Sequence, residues 1–241
     1  MKTVPWNRII ILLVIFCSIA AWGEPFSAWT RTKGLIIPFR SVFRLKETTP
    51  PPPAEKKPIT FEVPILLHHF VEDVTDEPDF LRKSMATRPY YFEDQLKALK
   101  NAGYKSVGFL ELAEAYRGGK VLPEKSFVIT FDDGHADLYT NALPLIIKYD
   151  FKAVVFVITG KVGQLDFLTE GQLKEMVKTG LIEIGSHTLT HEYLGVISTW
   201  ARQEVFLSKA WLEENLKVLV PGFAYPGGSK NSETEALVRE A

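Results

Sequence analysis

The stretch Phe127 to Gly134 reads FVITFDDG, an apolar and β-branched run that stops abruptly at two aspartates and a glycine. A short run of this kind bounded by turn residues predicts a strand. Working outward, similar runs fall at Val63 to His68, Ser106 to Gly108, Ala153 to Ile158, Leu181 to Gly185 and Gly222 to Ala224. Between them lie helical patterns. Tyr91 to Asn101 carries Phe92, Leu96 and Leu99 at helical spacing before Gly103, and Ala136 to Tyr149 behaves alike. Thr169 to Lys178 opens on a threonine cap and closes at Gly180, and Thr199 to Lys217 is a further amphipathic segment. Strands alternating with helices predict an α/β fold, a distorted (β/α) barrel around a parallel sheet. The last segment, Glu233 to Ala241, reads as a helix with no cap and no following strand, so the barrel is expected to be incomplete at its C-terminal end.

The chain has 241 residues, 46% hydrophobic and 24% charged, enough for one sizeable core. Its 28 Lys and Arg are balanced by 29 Asp and Glu, which gives no electrostatic reason to expect nucleic acid. At the N-terminus Lys2 and Arg8 precede an apolar run from Ile9 to Ala21, shorter than the roughly 20 residues that span a bilayer. Residues 1–23 are therefore expected to be a signal peptide or a membrane anchor, placing the protein outside the cytoplasm, secreted or held at the membrane. Residues 24–60 are basic and end in Pro50 to Pro53 and Pro58, which predicts an extended linker. The domain is expected over residues 61–241. The single cysteine, Cys17, lies in the leader, so a metal site in the domain must use histidine and carboxylate.

In parallel barrels, active sites gather at the C-terminal ends of the strands, and polar residues follow four of the runs. These are Asp132 and Asp133, His187 and His191, His68 and His69, and the turn Pro226 to Gly228. An isolated Asp-Asp-Gly is more often a helix cap with its turn. His187 and His191 are four apart, a spacing that puts both on one face of a helical turn and suits chelation of one ion. Strand alternation allows only one of His68 and His69 to face the pocket and does not decide which. His135 receives no role beyond the rim or a helix N-terminus.

Together, TFDDG at Thr130 to Gly134, SHTLTH at Ser186 to His191 and FAYPGG at Phe223 to Gly228 resemble the NodB-homology polysaccharide deacetylases of carbohydrate esterase family 4. VPILLHHF at Val63 to Phe70 is similar to the first strand of the poly-N-acetylglucosamine deacetylase type. The resemblance runs from about Pro64 to the C-terminus and implies hydrolysis of N-acetyl groups from an N-acetylglucosamine polysaccharide. It implies Asp133, His187 and His191 as ligands of a divalent metal, zinc first, with cobalt, nickel and manganese open to the same donor set. It further implies Asp132 as the general base, His69 as the proton donor to the leaving amine, and Tyr225, Pro226 and Gly227 as the oxyanion and substrate turn. Three positions depart from the family: Ala224 stands where an arginine often braces the base, Gly227 where tyrosine is usual, and His68 where the poly-N-acetylglucosamine type often has tyrosine. The missing arginine, His68 and the abrupt C-terminal end leave open a carbohydrate-binding protein on the same fold that lacks turnover.

Overall fold

The computed structural model describes residues 62–241 apart from 75–78 and 197–198. The expected leader and linker lie outside the described residues. Among the described residues, seven α-helices and five strands follow one another, beginning with β1 (Ile65–His68), α1 (Phe80–Met85), α2 (Pro89–Asn101), β2 (Lys105–Ser106) and α3 (Phe109–Tyr116). After them come β3 (Ser126–Phe131), α4 (Leu143–Tyr149), β4 (Ala153–Val157), α5 (Glu170–Lys178), β5 (Ile182–Ser186), α6 (Ala201–Leu216) and α7 (Ser232–Glu240).

The strand read first is the middle of the sheet. β3 pairs in parallel with β1 (Ile65 opposite Val128), with β2 (Lys105 opposite Ser126) and with β4 (Thr130 opposite Val154), and β4 pairs with β5. All of β3 and β4 is buried, as expected for strands covered on both faces. Alternation divides their side chains. Phe127, Ile129 and Phe131 of β3 join Val155 and Val157 of β4 and Ile184 of β5 in the main core, under Phe92 and Leu96 of α2, Ile146 of α4 and Leu173 of α5. Val128, Val154 and Phe156 point the other way, into a smaller cluster with Phe109 and Leu112 of α3. Truncating a fully buried phenylalanine such as Phe127 to alanine costs about 3–5 kcal/mol at such a site.

The α/β architecture is the expected one, with the sheet open along β1 among the described residues, where Ile65 and Leu67 stay exposed. Three expectations are corrected. Gly222 to Ala224 is not a full strand: it makes one parallel bridge, Ser186 with Phe223, through Ser186 N–H to Gly222 O and Ala224 N–H to Ser186 O. Ala136 to Tyr149 is not one regular helix, because a π-helical turn at Leu138–Ala142 precedes α4. The final helix does have a cap, since the Asn231 side chain accepts from Thr234 N–H at 2.9 Å. The helix α3 was not expected; its first N–H groups, on Phe109 and Leu110, donate to Glu183 from β5, a partner remote in sequence. Among the described residues no helix is long and apolar enough to cross a membrane.

Candidate metal centre

The chain leaves β3 through two consecutive left-handed residues, Asp133 (φ 71°) and Gly134 (φ 81°). Aspartate tolerates that conformation better than most residues, and glycine has no Cβ to oppose it. The turn breaks the alternation of the strand, so adjacent aspartates acquire different surroundings. Asp132 N–H donates to His68 O at 2.9 Å, which keeps it in register with the end of β1. Asp133 instead meets the loop that follows β5.

That loop carries both histidines, and the expected helical turn is not what brings them together. His187 to His191 leaves β5 as irregular chain, with left-handed backbone at Thr188 (φ 70°) and His191 (φ 70°). For the β-branched Thr188 such a conformation is strained, by about 1–3 kcal/mol, and must be held by its surroundings. Two elements hold it. From the β4 side, Thr159 N–H and Gly160 N–H donate to Thr188 O and Leu189 O. From α6, the buried Glu204 accepts from Leu189 N–H at 2.9 Å, Thr190 N–H at 2.8 Å and the Thr190 hydroxyl at 2.7 Å. Nothing in the sequence distinguishes Glu204 from the other acidic residues of its helix. Glu204→Ala leaves two loop amides without their acceptor, and zinc affinity is expected to fall roughly tenfold or more, by competition with a chromophoric chelator. Glu204→Gln, which keeps an acceptor oxygen for both amides, is expected to retain most of it.

The three side chains converge on one point. Asp133 Oδ1 lies 3.3 Å from His187 Nε2 and 3.4 Å from His191 Nε2, and it is buried without a hydrogen bond. Two ligands each about 2.0 Å from a tetrahedral zinc ion stand about 3.3 Å apart, so the spacing fits a common cation. The tautomer fits as well. His187 Nδ1 is 2.9 Å from Ala224 O, a carbonyl that can only accept, which leaves the Nε2 lone pair toward Asp133. These residues could therefore hold a divalent ion, and they are the one such group among the described residues.

His135 is brought in where the sequence assigned it no role. Its Nε2 lies 3.4 Å from the second carboxylate oxygen, Asp133 Oδ2, and its ring stacks on Phe70 at 3.9 Å and against Phe167 at 4.7 Å. Its position directly after TFDDG was the available signal. Burial pushes the Asp133 carboxyl up, but the facing imidazoles of His135 and His187 outweigh it and hold it well below the usual carboxylate range.

Asp132 is not one of the three converging ligands and is almost fully buried. Burial pushes its carboxyl above the usual range, opposed by the charges of His187 and His69 and reinforced by Asp133. Its Oδ1 has no hydrogen-bond partner. The structure also separates the two histidines that alternation left open. His68 turns into the core, edge-on to Phe92 at 5.1 Å and 3.3 Å from the Thr87 hydroxyl. Burial, then the neighbouring charge of His69, lowers its imidazole to about 4, so it is neutral at pH 7. His69 is half-buried and close enough to Asp132 and His191 for its charge to act on both.

In the run after Gly222, Pro226–Gly228 forms a tight turn with left-handed Gly227 (φ 57°). The Tyr225 ring instead packs on Phe223 at 5.0 Å, in the apolar cluster with Leu194, Ala201 and Val205.

A family model described as polysaccharide deacetylase matches residues 119–241. The chain is 31% identical over 173 residues to the poly-beta-1,6-N-acetyl-D-glucosamine N-deacetylase of Staphylococcus aureus (strain MRSA252), covering 66% of this chain and 59% of that protein. It is 28% identical over 189 residues to the enzyme of the same name from Escherichia coli (strain K12), covering 69% of this chain and 28% of that one. The chain thus spans 59% and 28% of the length of these two curated relatives. Among solved structures, it resembles the Streptococcus pyogenes deacetylase PplD in complex with acetate, with a TM-score of 0.69 and 30% identity over 76% of this chain and 81% of that one. It also resembles IcaB from Ammonifex degensii, with a TM-score of 0.66 and 27% identity over 74% and 79%.

Proposed function

Because the chain belongs to the polysaccharide deacetylase family, we propose that it hydrolyses N-acetyl groups of an N-acetylglucosamine-containing polysaccharide, releasing acetate. The observation that carries this reading is the convergence of Asp133, His187 and His191 on one point, with a separate buried carboxylate, Asp132, next in sequence. The substrate named for the Staphylococcus aureus and Escherichia coli relatives supports the polymer class. The charged start and apolar run from Ile9 to Ala21 support action outside the cytoplasm, secreted or anchored.

The chain's own groups divide the work. Asp133, His187 and His191 would hold a divalent ion, zinc first and cobalt, nickel or manganese as alternatives, which when bound would lower the pKa of a water and polarise the acetyl carbonyl. Asp132 takes a proton from the attacking water as the water oxygen bonds to the acetyl carbon. The Gly227 N–H donates to the oxygen that gains negative charge. His69 protonates the amide nitrogen as the C–N bond breaks, leaving acetate and a free amine on the sugar. His68, neutral and buried against Phe92, is the poorer donor.

The test is acetate release by the zinc-loaded full chain from poly-β-1,6-N-acetylglucosamine, peptidoglycan glycan strands and chitin oligomers, with and without chelator. Chelator-sensitive release from at least one polymer is expected, greatest on the first. Binding of these polymers without release would favour the carbohydrate-binding reading, to which the unpartnered Asp132 Oδ1 and the alanine at 224 lend their weight.

A further inference from the structure

At Gly227 another residue's ring occupies the space that a side chain would take. A Cβ built there would lie 2.3 Å from Tyr193 Cε1 and 3.0 Å from Cδ1, far inside contact distance. Tyr193 thus fills the space over the turn that a side chain at 227 would take. The same ring lies 6.2 Å from the His191 imidazole, centroid to centroid. It therefore touches two segments to which the reading above gives roles, the metal ligand His191 and the Pro226–Gly228 turn.

The backbone beside the ring is fixed in place, and the ring itself is open to solvent. Leu194, next in sequence, is fully buried against Ala201 and Val205. Gly195 is tied to the chain beyond the turn, its N–H donating to Ser229 Oγ and its carbonyl accepting from Asn231 Nδ2, each at 3.2 Å. Tyr193 itself remains 52% exposed. An aromatic side chain of that exposure leaves about half of its surface open, and with only two torsions to order it offers an apolar face at small entropic cost.

We infer that Tyr193 is a sugar-binding residue, whose exposed ring stacks on the C–H face of an N-acetylhexosamine unit and thereby presents its amide to the triad. Glycine at 227 is what lets this ring reach the turn. The inference rests on the carbohydrate reading above but concerns binding rather than turnover.

The experiment uses the zinc-loaded full chain as wild type, Tyr193→Phe, Tyr193→Leu and Tyr193→Ala. Each is titrated with an N-acetylglucosamine oligomer by calorimetry and assayed for acetate release, with zinc affinity and unfolding midpoint measured in parallel. Tyr193→Phe is expected to bind like wild type. Tyr193→Ala and Tyr193→Leu should bind roughly five- to tenfold more weakly, with KM raised by a like factor and kcat and zinc affinity within about twofold of wild type. If Tyr193→Ala unfolds, Tyr193→Leu carries the same comparison, because leucine fills the space without an aromatic face. Unchanged oligomer binding in Tyr193→Leu, or a loss of zinc affinity or kcat without a change in KM, would overturn the inference. A wild type that binds oligomer in a Tyr193-dependent way but releases no acetate would sink the deacetylase reading and leave this one standing.

Discussion

Replacing Asp133 with alanine is expected to remove divalent-metal binding and, with it, all measurable acetate release. Asp133 is the one carboxylate of the triad, and its Oδ1 is the atom both Nε2 nitrogens face, at 3.3 and 3.4 Å. Without it two neutral imidazoles remain, on a loop whose strained backbone is held by Glu204 rather than by the ion. Zinc affinity is expected to drop by more than about a hundredfold, beyond the 10- to 100-fold typical of losing a partner one step removed from a metal. Thermal unfolding provides a readout independent of activity. A ligand at a thousand times its Kd stabilises the folded state by about 4 kcal/mol, so zinc should raise the unfolding midpoint of the wild type and leave that of Asp133→Ala where it was. A zinc-dependent rise in the variant would show that the ion binds elsewhere.

Asp132→Asn is expected to do the reverse, keeping zinc and losing turnover. The change is isosteric, and Asp132 is not one of the three converging ligands, so the variant should bind about one equivalent of zinc like the wild type. The amide cannot take the proton that a carboxylate accepts from water. General-base assistance contributes roughly 10²- to 10⁴-fold, and kcat should fall by that factor with KM little changed. Burial, which pushes the Asp132 carboxyl upward, suits it to this task, since a stronger base takes the proton more readily. Measured zinc stoichiometry beside steady-state acetate release separates the two aspartates. An Asp132→Asn protein that retained wild-type kcat would remove Asp132 from the mechanism.

The two carboxylates are adjacent in sequence and differ in role because of one backbone feature. Left-handed Asp133 ends the alternation of β3, so Asp132 stays in register with β1 while Asp133 turns toward the loop after β5. An Asp-Asp-Gly written out in sequence is compatible with this turn and equally with a helix cap. Only the partner loop decides between them.

Legibility followed the range of the forces involved. β3 and β4 were readable to within a residue or two because a strand buried on both faces needs a nearly continuous apolar run, which is a local property of the chain, and β5 was readable from Ile182 and Ile184 on either side of Glu183. The cap of α5 at Thr169 was readable for the same reason, its acceptor and donor lying within one turn. The helix α3 was not, because Gly108 offers no side chain and the carboxylate that satisfies its first amides, Glu183, arrives from another strand. The spacing of His187 and His191 pointed to a common ligand group through the wrong local geometry. A helical turn would bring them together by itself, whereas the loop does so through two left-handed residues and Glu204.

The amino-acid sequence by itself determined the α/β class, the strand ends on which chemistry sits and the residue types available there, because hydrophobic burial and turn chemistry act over a few neighbouring residues. The tertiary structure decided which of those residues meet. It turned His68 into the core and left His69 beside Asp132, set His135 against the far oxygen of Asp133, and laid Tyr193 over Gly227. Each is a contact between segments well separated along the chain or a choice between two faces of one strand, and packing across the sheet settles such contacts where local propensity cannot.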